Sequence, residues 1–192
     1  MKTIKRILTT VLLSGLGATP VFAAPYFSAG SGMGFPGDRE FVNGINMKLD
    51  NDPVLNGACG YKFWNLRVEA AVGYEKHFFT NGTPNGKADI SFHTVMANGY
   101  YDFDARFGIA PFLMAGAGIL STDVHDATGS NYDPQNNLAW QAGAGIGIKA
   151  IPHVSFDFSY RYLKPSTGKG VANGVDVNWE GHSILAGVRY EL

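Results

Sequence analysis

A strict two-residue alternation in the segment Val154–Leu163 limits the fold more than any other feature of the sequence. One set of alternate positions holds only apolar and aromatic residues, namely Val154, Phe156, Phe158, Tyr160 and Tyr162. The other set holds serines and charged residues, namely Ser155, Asp157, Ser159 and Arg161. Because successive side chains of a β-strand point to opposite faces, this segment is predicted to be a strand with one unbroken apolar face. A tilted strand of about ten residues can cross a lipid bilayer.

Seven other segments follow the same pattern well enough to be predicted as strands, which makes eight in total. The closing segment repeats it clearly, with Ile184, Val188 and Tyr190 on one face and Arg189 and Glu191 on the other. The remaining predicted strands are Tyr26–Phe35, Val54–Phe63, Leu66–Lys76, Ala88–Tyr101, Ile109–Leu120 and Asn137–Lys149. The facing of the fourth strand, Ala88–Tyr101, stays open because neither of its faces is cleanly apolar.

The connections between these strands alternate in length. The short connections are Phe63–Leu66, Asp102–Gly108 and Ala150–His153. The long connections are rich in Asn, Asp, Gly, Thr and Pro, and they are Pro36–Pro53, His77–Lys87, Thr122–Asn136 and Lys164–Asn178. This rhythm predicts an all-β fold, an eight-stranded antiparallel up-and-down transmembrane β-barrel. In outer-membrane barrels the short turns are periplasmic and the long loops extracellular.

A secreted soluble barrel of the lipocalin type is the alternative, and the composition of the two faces argues against it. The charged face also holds most of the glycine and serine, which suits the crowded interior of a narrow barrel. The other face is bulky and apolar, and in water it would be a far larger exposed patch than soluble monomers tolerate. A closed barrel also leaves no unpaired strand edge in lipid. The apolar face is therefore predicted to contact lipid.

Aromatic residues form two groups near the two ends of the predicted strands. The group near the short turns is Phe63, Trp64, Tyr101, Phe103, Phe107 and Tyr190. The group near the long connections is Tyr74, Phe78, Phe79, Trp140, Tyr160, Tyr162 and Trp179. Amphipathic rings prefer the two membrane interfaces, so these groups are predicted to form two aromatic girdles.

The start of the chain has the features of a cleaved secretory signal peptide, assigned to residues 1–23. Lys2, Lys5 and Arg6 precede a short apolar run at Ile7–Leu16. Val21-Phe22-Ala23 then places small residues at the −3 and −1 positions of a cleavage site after Ala23. A retained anchor helix is the alternative, but the apolar run is well short of the ~20 residues that a span needs. Residues 24–192 are then predicted to form a single barrel domain.

The net charge limits the possible binding partners, and the cysteine content limits the possible disulfide bonds. The formal net charge is −1, and removal of the signal peptide takes away three positive charges, which leaves about −4. No basic patch is visible, so nucleic acid is not expected as a partner. The single cysteine, Cys59, cannot form an internal disulfide, and the fold must hold without one.

Five segments together carry a resemblance to a known family: Met96–Phe103, Pro111–Ile119, Ala139–Lys149, Val154–Leu163 and His182–Leu192. In this order and spacing they resemble the eight-stranded outer-membrane barrels of the opacity-protein and OmpA transmembrane-domain superfamily. The resemblance implies a monomer in the Gram-negative outer membrane, in contact with lipid and lipopolysaccharide. It also implies assembly by the barrel-assembly machinery through the C-terminal strand. Members of the family usually end on Phe or Trp, whereas this chain has Leu192 and keeps Tyr190.

No catalytic, cofactor-binding or metal site is predicted. The glycine-rich run Gly143–Gly147 lies inside a strand with no helix after it, which excludes a phosphate-binding loop. The histidines share no metal-ligand spacing. The best enzyme alternative is an outer-membrane lipid A hydrolase that uses Ser, His and an acid. His182 and Ser183 are adjacent, however, so they point to opposite faces of a strand and cannot act as base and nucleophile.

Charged residues on the inward faces are predicted to form a paired network in the lumen. They are Lys62, Arg67, Lys149, Arg161 and Arg189 against Glu69, Glu75, Asp157 and Glu191. Eight strands leave an interior that side chains just fill, where charges are costly unless paired. The third and seventh strands stand opposite each other, so Glu69 is expected to bond to Arg161, Arg189 or Lys149. The network is expected to block a continuous aqueous path.

These features favour a structural or surface-interaction protein, similar to an adhesin or surface antigen. Loops on a rigid scaffold are where binding residues collect, so a host or matrix surface ligand is expected to contact the extracellular loops. The alternative function is a narrow porin-like channel for small solutes. An enzyme and a cofactor are not expected.

Overall fold

In the computed structural model the chain forms eight strands that close into one barrel. The structure describes residues 23–36, 52–80, 87–104, 107–125, 135–166 and 180–192. The strands are β1 (Ala24–Pro36), β2 (Asp52–Phe63), β3 (Leu66–Thr80), β4 (Lys87–Asp102), β5 (Ile109–His125), β6 (Gln135–Ile151), β7 (Val154–Pro165) and β8 (Gly181–Glu191). Each strand pairs antiparallel with the next, and β8 pairs with β1, which confirms the predicted closed antiparallel barrel. Residues 1–22 of the predicted signal peptide lie outside the described residues.

The apolar face of the strands is the outer wall of the barrel. Leu55, Val68, Leu113 and Ile184 are each half exposed or more, at 54%, 50%, 53% and 57% of their full surface. Alternate positions point inward and are buried, as Ser155 and Ser159 are on β7. The predicted facing is therefore confirmed on these strands, and the outer wall is a predominantly apolar belt.

The structure settles the facing of β4, which the sequence left open. Met96, Asn98, Tyr100 and Asp102 are buried in the interior, whereas Val95 is 44% exposed on the outer wall. Alanine and glycine occupy other outward positions on this strand, and the inward positions hold tyrosine and polar residues. Both faces consequently look mixed in the sequence, although the alternation is regular in the structure.

Several strands extend past their predicted ends on the side of the long connections. Strand β3 continues to Thr80, where it still pairs with Lys87 of β4, and β5 continues to His125. The predicted strands ended where the apolar alternation gave way to polar residues. The strands themselves go on, because only the part of the outer wall that faces lipid must be apolar. Backbone pairing continues beyond that level with no need for apolar side chains.

Tight turns close the opposite end of the barrel. Trp64, Phe107 and His153 adopt positive φ angles of 52°, 54° and 72° in the three short connections. Non-glycine residues rarely adopt this conformation, which costs of order 1 kcal/mol or more unless the surroundings hold it. The short turns are therefore held in this conformation by the strands that they join. We call this end of the barrel the short-turn end and the opposite end the long-loop end.

Aromatic rings lie at both ends of the outer wall, as predicted. At the short-turn end the rings of Tyr101 and Phe103 meet edge to face with centroids 5.0 Å apart. At the long-loop end Trp140 and Tyr162 have centroids 5.4 Å apart. The side chains of Phe78, Phe79 and Trp179, which were predicted for the second group, lie outside the described residues.

Bulky apolar side chains occupy part of the lumen. Tyr100, Phe112 and Met114 form a buried cluster inside the wall. Glycine is required beside it, since a Cβ on Gly145 would lie 2.5 Å from the Phe112 ring and 2.3 Å from the Phe158 carbonyl oxygen. The part of the chain that the structure describes contains no helix with the length and apolarity needed to cross a membrane.

Candidate functional site in the barrel lumen

A buried arginine is the centre of the charged side chains at the short-turn end. Arg67 is only 2% exposed, and its Nε and Nη2 donate to the two carboxylate oxygens of Asp102 at 2.9 and 2.8 Å. This two-point pairing matches the planar guanidinium to the carboxylate. Nη1 of Arg67 also lies 3.6 Å from Asp157 Oδ2, across the lumen on β7. One guanidinium thus links β3, β4 and β7.

Arg189 extends these contacts around the lumen. Its Nε lies 3.0 Å from Asp157 Oδ2, and its Nη1 lies 2.6 Å from Glu191 Oε1. Lys62 Nζ lies 3.3 Å from the same glutamate oxygen. The resulting turn-side network holds three cations and three carboxylates, all in ion pairs: Lys62, Arg67, Asp102, Asp157, Arg189 and Glu191. It is electrically neutral, so burial does not leave an unpaired charge.

Aromatic rings hold Arg67 from its sides. The guanidinium carbon lies 4.2 Å from the centroid of the Tyr100 ring and 4.9 Å from that of Phe112. A cation over an aromatic face is attracted by the ring quadrupole, more strongly where water is excluded. The turn-side network is therefore in contact with the buried aromatic cluster.

The predicted ion pair of Glu69 is wrong. Its carboxylate accepts hydrogen bonds from neutral groups instead: Tyr26 Oη at 2.9 Å, Tyr100 Oη at 2.6 Å and Asn98 Nδ2 at 3.0 Å. Gln141 Nε2 in turn donates to Asn98 Oδ1 at 2.6 Å. Within the described part of the chain, no basic group lies within ion-pair distance of this buried carboxylate. Three donors nevertheless satisfy it, which is the requirement for burial.

Three other residues of the predicted network lie apart from it. Lys149 is exposed near a short turn and takes no part in the ion pairs of the described residues. Glu75 lies near the long-loop end, where it has an interaction of its own. Arg161 makes no ion pair with any described carboxylate, and its Nε is buried with no hydrogen-bond acceptor. The structure thus brings Lys62, Arg67, Asp157, Arg189 and Glu191 of the predicted set together, and it places Lys149, Glu75 and Arg161 outside this network.

The sequence prediction also missed residues that complete the interior. Asp102, Asn98 and Tyr100 are all on β4, whose facing was left open, and Tyr26 is on β1. Asn98, Tyr100 and Asp102 are alternate residues and so share one face of β4, which was the available signal in the sequence. For Asp102 a second signal was the charge count of the predicted lumen set, which had five cations and four carboxylates and so lacked one acid.

Two cavities lie along the lumen beyond the turn-side network. The central cavity, of about 40 Å³, is lined by Glu69, Asp157 and Ser159 among others. The loop-side cavity, of about 50 Å³, is lined by Gln141, Ser183 and Glu75 among others. Three residues line both cavities and so lie between them: Asn56, Arg161 and Leu185.

A separate polar cluster lies on the outer wall at the long-loop end. Tyr160 and His182 are hydrogen-bonded at 2.5 Å, Tyr162 donates to Glu180, and Lys164 Nζ lies 3.6 Å from Glu180 Oε2. Glu180 precedes β8, outside the strands, and the hydrogen bond from Tyr162 together with Lys164 lowers the pKa of its carboxyl group. This cluster contains no serine, because Ser183 points inward and lines the loop-side cavity.

The described residues contain no group of His, Cys, Asp and Glu side chains that could hold a metal ion. The polar interior is instead built from ion pairs and amide or hydroxyl hydrogen bonds.

Comparison with known proteins decides the family. A family model described as the outer membrane protein beta-barrel domain matches residues 9–191. The chain belongs to this family. Its location is the outer membrane, and its exposed apolar belt is the surface that contacts lipid.

Individual relatives agree with this assignment. The outer membrane protein PagN of Salmonella typhimurium is 26% identical over 162 residues, which covers 64% of this chain and 68% of PagN. Among solved structures, the Neisserial surface protein A matches with a TM-score of 0.64 and 20% identity, over 88% of this chain and 99% of that one. Ail, the attachment invasion locus protein of Yersinia pestis, matches with a TM-score of 0.53 and 15% identity, over 88% and 97% of the two chains. At these identities the solved structures support the fold.

Proposed function

We propose that this outer-membrane barrel is a surface-interaction protein whose four long connections carry the recognition, and that it is not an enzyme. The observation that carries the proposal is the grouping of residues 37–51, 81–86, 126–134 and 166–180, which join strand ends on one rim. The other rim is closed by tight turns. A rigid barrel that presents long connections at one end is a typical scaffold for binding.

The proposal requires the long-loop end to face the cell exterior. Residues 1–23 are proposed to be a cleaved signal peptide, and β1 begins directly after them at Ala24. The test is proteolysis of intact cells followed by sequencing of the fragments, including the mature N-terminus. We expect cleavage within the long connections. Cleavage confined to the turns at residues 63–66 and 151–154 would contradict the orientation.

The charge of the long connections limits the kinds of ligand that they can bind. Outside the strands these four connections contain three basic and seven acidic residues: Arg39, Lys48 and Lys169 against Asp38, Glu40, Asp50, Asp126, Asp133, Asp176 and Glu180. Ail has been solved with the heparin analogue sucrose octasulfate. A sulfated polysaccharide needs a positive surface, which these connections do not supply. The proposed ligand is therefore a host or matrix protein or a neutral glycan.

Loop replacement tests the recognition. Whole cells that display the barrel are assayed on immobilised host-cell and matrix surfaces, with heparin as a separate surface. Replacement of residues 37–51 and 166–180 by short Gly/Ser turns should abolish binding, while replacement of residues 81–86, the shortest of the four, serves as the matched control. Heat-modifiable gel mobility reports that each variant is folded. Wild-type cells that bind no surface, or variants that bind equally well, would contradict the proposal.

A narrow porin-like channel is the second candidate, and the two cavities along the lumen favour it. The turn-side network fills the lumen between these cavities and the short turns, so we propose that no steady conductance exists. Single-channel recording in planar bilayers tests this. A steady wild-type conductance that changes in Glu69→Ala would support the channel instead of a closed barrel.

Three finer statements belong to the same proposal. The barrel is assembled through β8, it is a monomer, and it does not hydrolyse lipid A. Sedimentation in detergent and incubation with lipid A test the last two, and released acyl chain would contradict the absence of hydrolysis. The opposite facing of His182 and Ser183 on β8 supports that absence.

A further inference from the structure

Arg161 differs from the other arginines of the lumen in having no carboxylate partner. Arg67 pairs with Asp102 and Asp157, and Arg189 pairs with Asp157 and Glu191. Arg161 makes no ion pair with any described residue, and its Nε is buried without an acceptor. An unsatisfied buried donor on a charged group is costly, and such a group in a native protein commonly marks a bound water or ion.

The space around Arg161 is large enough for a small ligand. The loop-side cavity measures about 50 Å³ and has the arginine in its lining. A single water needs roughly 10–15 Å³ of such space, so the cavity can hold an ion of halide size together with a few waters.

Three neutral donors contribute to the lining of the same space, beside apolar residues such as Met96 and Leu185. Gln141 and Asn56 each use their amide nitrogen in a hydrogen bond, to Asn98 Oδ1 and Val72 O, and each amide nitrogen carries a second hydrogen. The Ser183 hydroxyl also lines the cavity, on the residue that pairs with Arg161 across β7 and β8. A guanidinium with amide and hydroxyl donors is a set of groups that suits an anion.

Carboxylates near the two cavities decide which of them suits an anion. The central cavity is lined by Glu69 and Asp157, so a negative ion there would be repelled by two acids. The loop-side cavity has only Glu75 among its lining residues, and that residue has an interaction of its own. The loop-side cavity is also the one nearer the long connections.

We propose that Arg161, with Asn56, Gln141 and Ser183, forms a binding site for a small monovalent inorganic anion in the loop-side cavity. The site is independent of the surface recognition proposed above. Chloride or a similar ion would bind in the lumen on the long-loop side of the turn-side network. The ion itself would supply the negative charge that pairs with Arg161.

Bromide is the probe, applied to the full barrel in detergent. Crystals soaked in bromide should show an anomalous peak in direct contact with the Arg161 guanidinium, as a charge-assisted hydrogen bond requires. In solution, the line width of the chloride NMR signal should contain a saturable contribution that bromide displaces. Arg161→Met should abolish both signals.

Two variants keep the test decisive. Lys164→Met removes a cation of the outer-wall cluster at the same end, and it should leave the anion signals unchanged. Arg161→Lys keeps the charge but loses the Nε donor and the planar fork, so it should fold even if Arg161→Met does not. Its affinity for bromide should be about tenfold weaker, as expected for the loss of one charged hydrogen bond.

Three outcomes would overturn the proposal. The first is a wild-type barrel with neither peak nor saturable broadening, which would mean that only water occupies the loop-side cavity. The second is an Arg161→Met barrel that keeps both signals. The third is an equal loss in Lys164→Met, which would mean that the ion binds the surface non-specifically.

Discussion

The two halves of the lumen treat buried charge in different ways. Near the short turns, six charged side chains form one neutral network around Arg67, which is 2% exposed. Towards the long-loop end, Arg161 lies between two cavities with no described carboxylate as partner. The difference indicates that one half contributes to the stability of the closed barrel, while the other keeps polar groups that can receive a ligand.

The largest expected effect is the loss of one partner in the turn-side network. Asp102→Asn removes the carboxylate that pairs with Arg67 at two points and leaves only Asp157 at 3.6 Å. Because removal of one member leaves a buried charge without its partner, we expect a loss of about 3 kcal/mol in the free energy of unfolding. Urea unfolding in lipid vesicles, followed by tryptophan fluorescence, measures it.

Asp104→Asn is the matched control for this variant. Asp104 accepts a hydrogen bond from Asn65 at 3.2 Å on the exposed short-turn surface. The same chemical change there should alter the free energy of unfolding by less than about 0.5 kcal/mol. Equal losses in the two variants would show that the buried network has no special role.

A second comparison makes the same substitution in both halves. A Cβ on Gly145 would lie 2.3 Å from a backbone oxygen of Phe158 and 2.5 Å from the Phe112 ring, so Gly145→Ala should cost about 1–3 kcal/mol. A Cβ on Gly73 would meet the Thr94 hydroxyl at 2.4 Å, and that side chain can rotate towards the loop-side cavity. Gly73→Ala should therefore cost clearly less, in the same unfolding assay. A larger loss at Gly73 would contradict the view that the loop-side half is the more adaptable.

The smallest effect concerns pH at the long-loop end. The pKa of the Glu180 carboxyl group is lowered by Tyr162 and Lys164, so the folded state favours the ionised form. This stabilisation is present above the ordinary glutamate pKa of about 4.3 and is lost as the pH falls through the lowered value. Melting curves of wild type and Glu180→Gln should differ slightly at neutral pH and converge below about pH 4. A difference that persists at low pH would exclude this electrostatic cause.

The sequence predicted the barrel, its strand count and most facings, because alternation is a local property of each strand. It could not predict the partner of Glu69, which depends on depth along the barrel axis. Strands β3 and β7 both run away from the short turns, and Arg67 is indeed close to Asp157 across the lumen. Glu69 is two residues further along β3, whereas Arg161 is four residues further along β7 than Asp157. At about 3.3 Å per residue their levels differ by roughly 7 Å, and at the level of Glu69 the neighbouring strands supply Tyr26, Asn98 and Tyr100 as donors instead.

The facing of β4 illustrates a second limit. Its lipid-facing positions include Ala97 and Gly99, and its lumen positions include Tyr100. Hydrophobicity does not separate two such faces, so Asn98 could not be assigned to the lumen, while Asp102 was predicted to lie in the short connection after the strand. The register with β3, which places Asn98 directly opposite Glu69, was needed for that assignment.

The seam between β1 and β8 has a consequence for the kinetics of assembly. Every other pair of neighbours is consecutive in the chain and can form as a hairpin, but this seam joins residues as distant as Tyr26 and Glu191. Pairing of such distant segments is slow, and until it occurs two strand edges remain without partners in lipid. Gly30 faces Gly187 across the seam, and a Cβ on Gly32 would lie 1.9 Å from the Ile184 carbonyl oxygen. Bulk added at this seam would therefore slow the closing step, and it would prolong the time in which an unclosed sheet can pair with another chain.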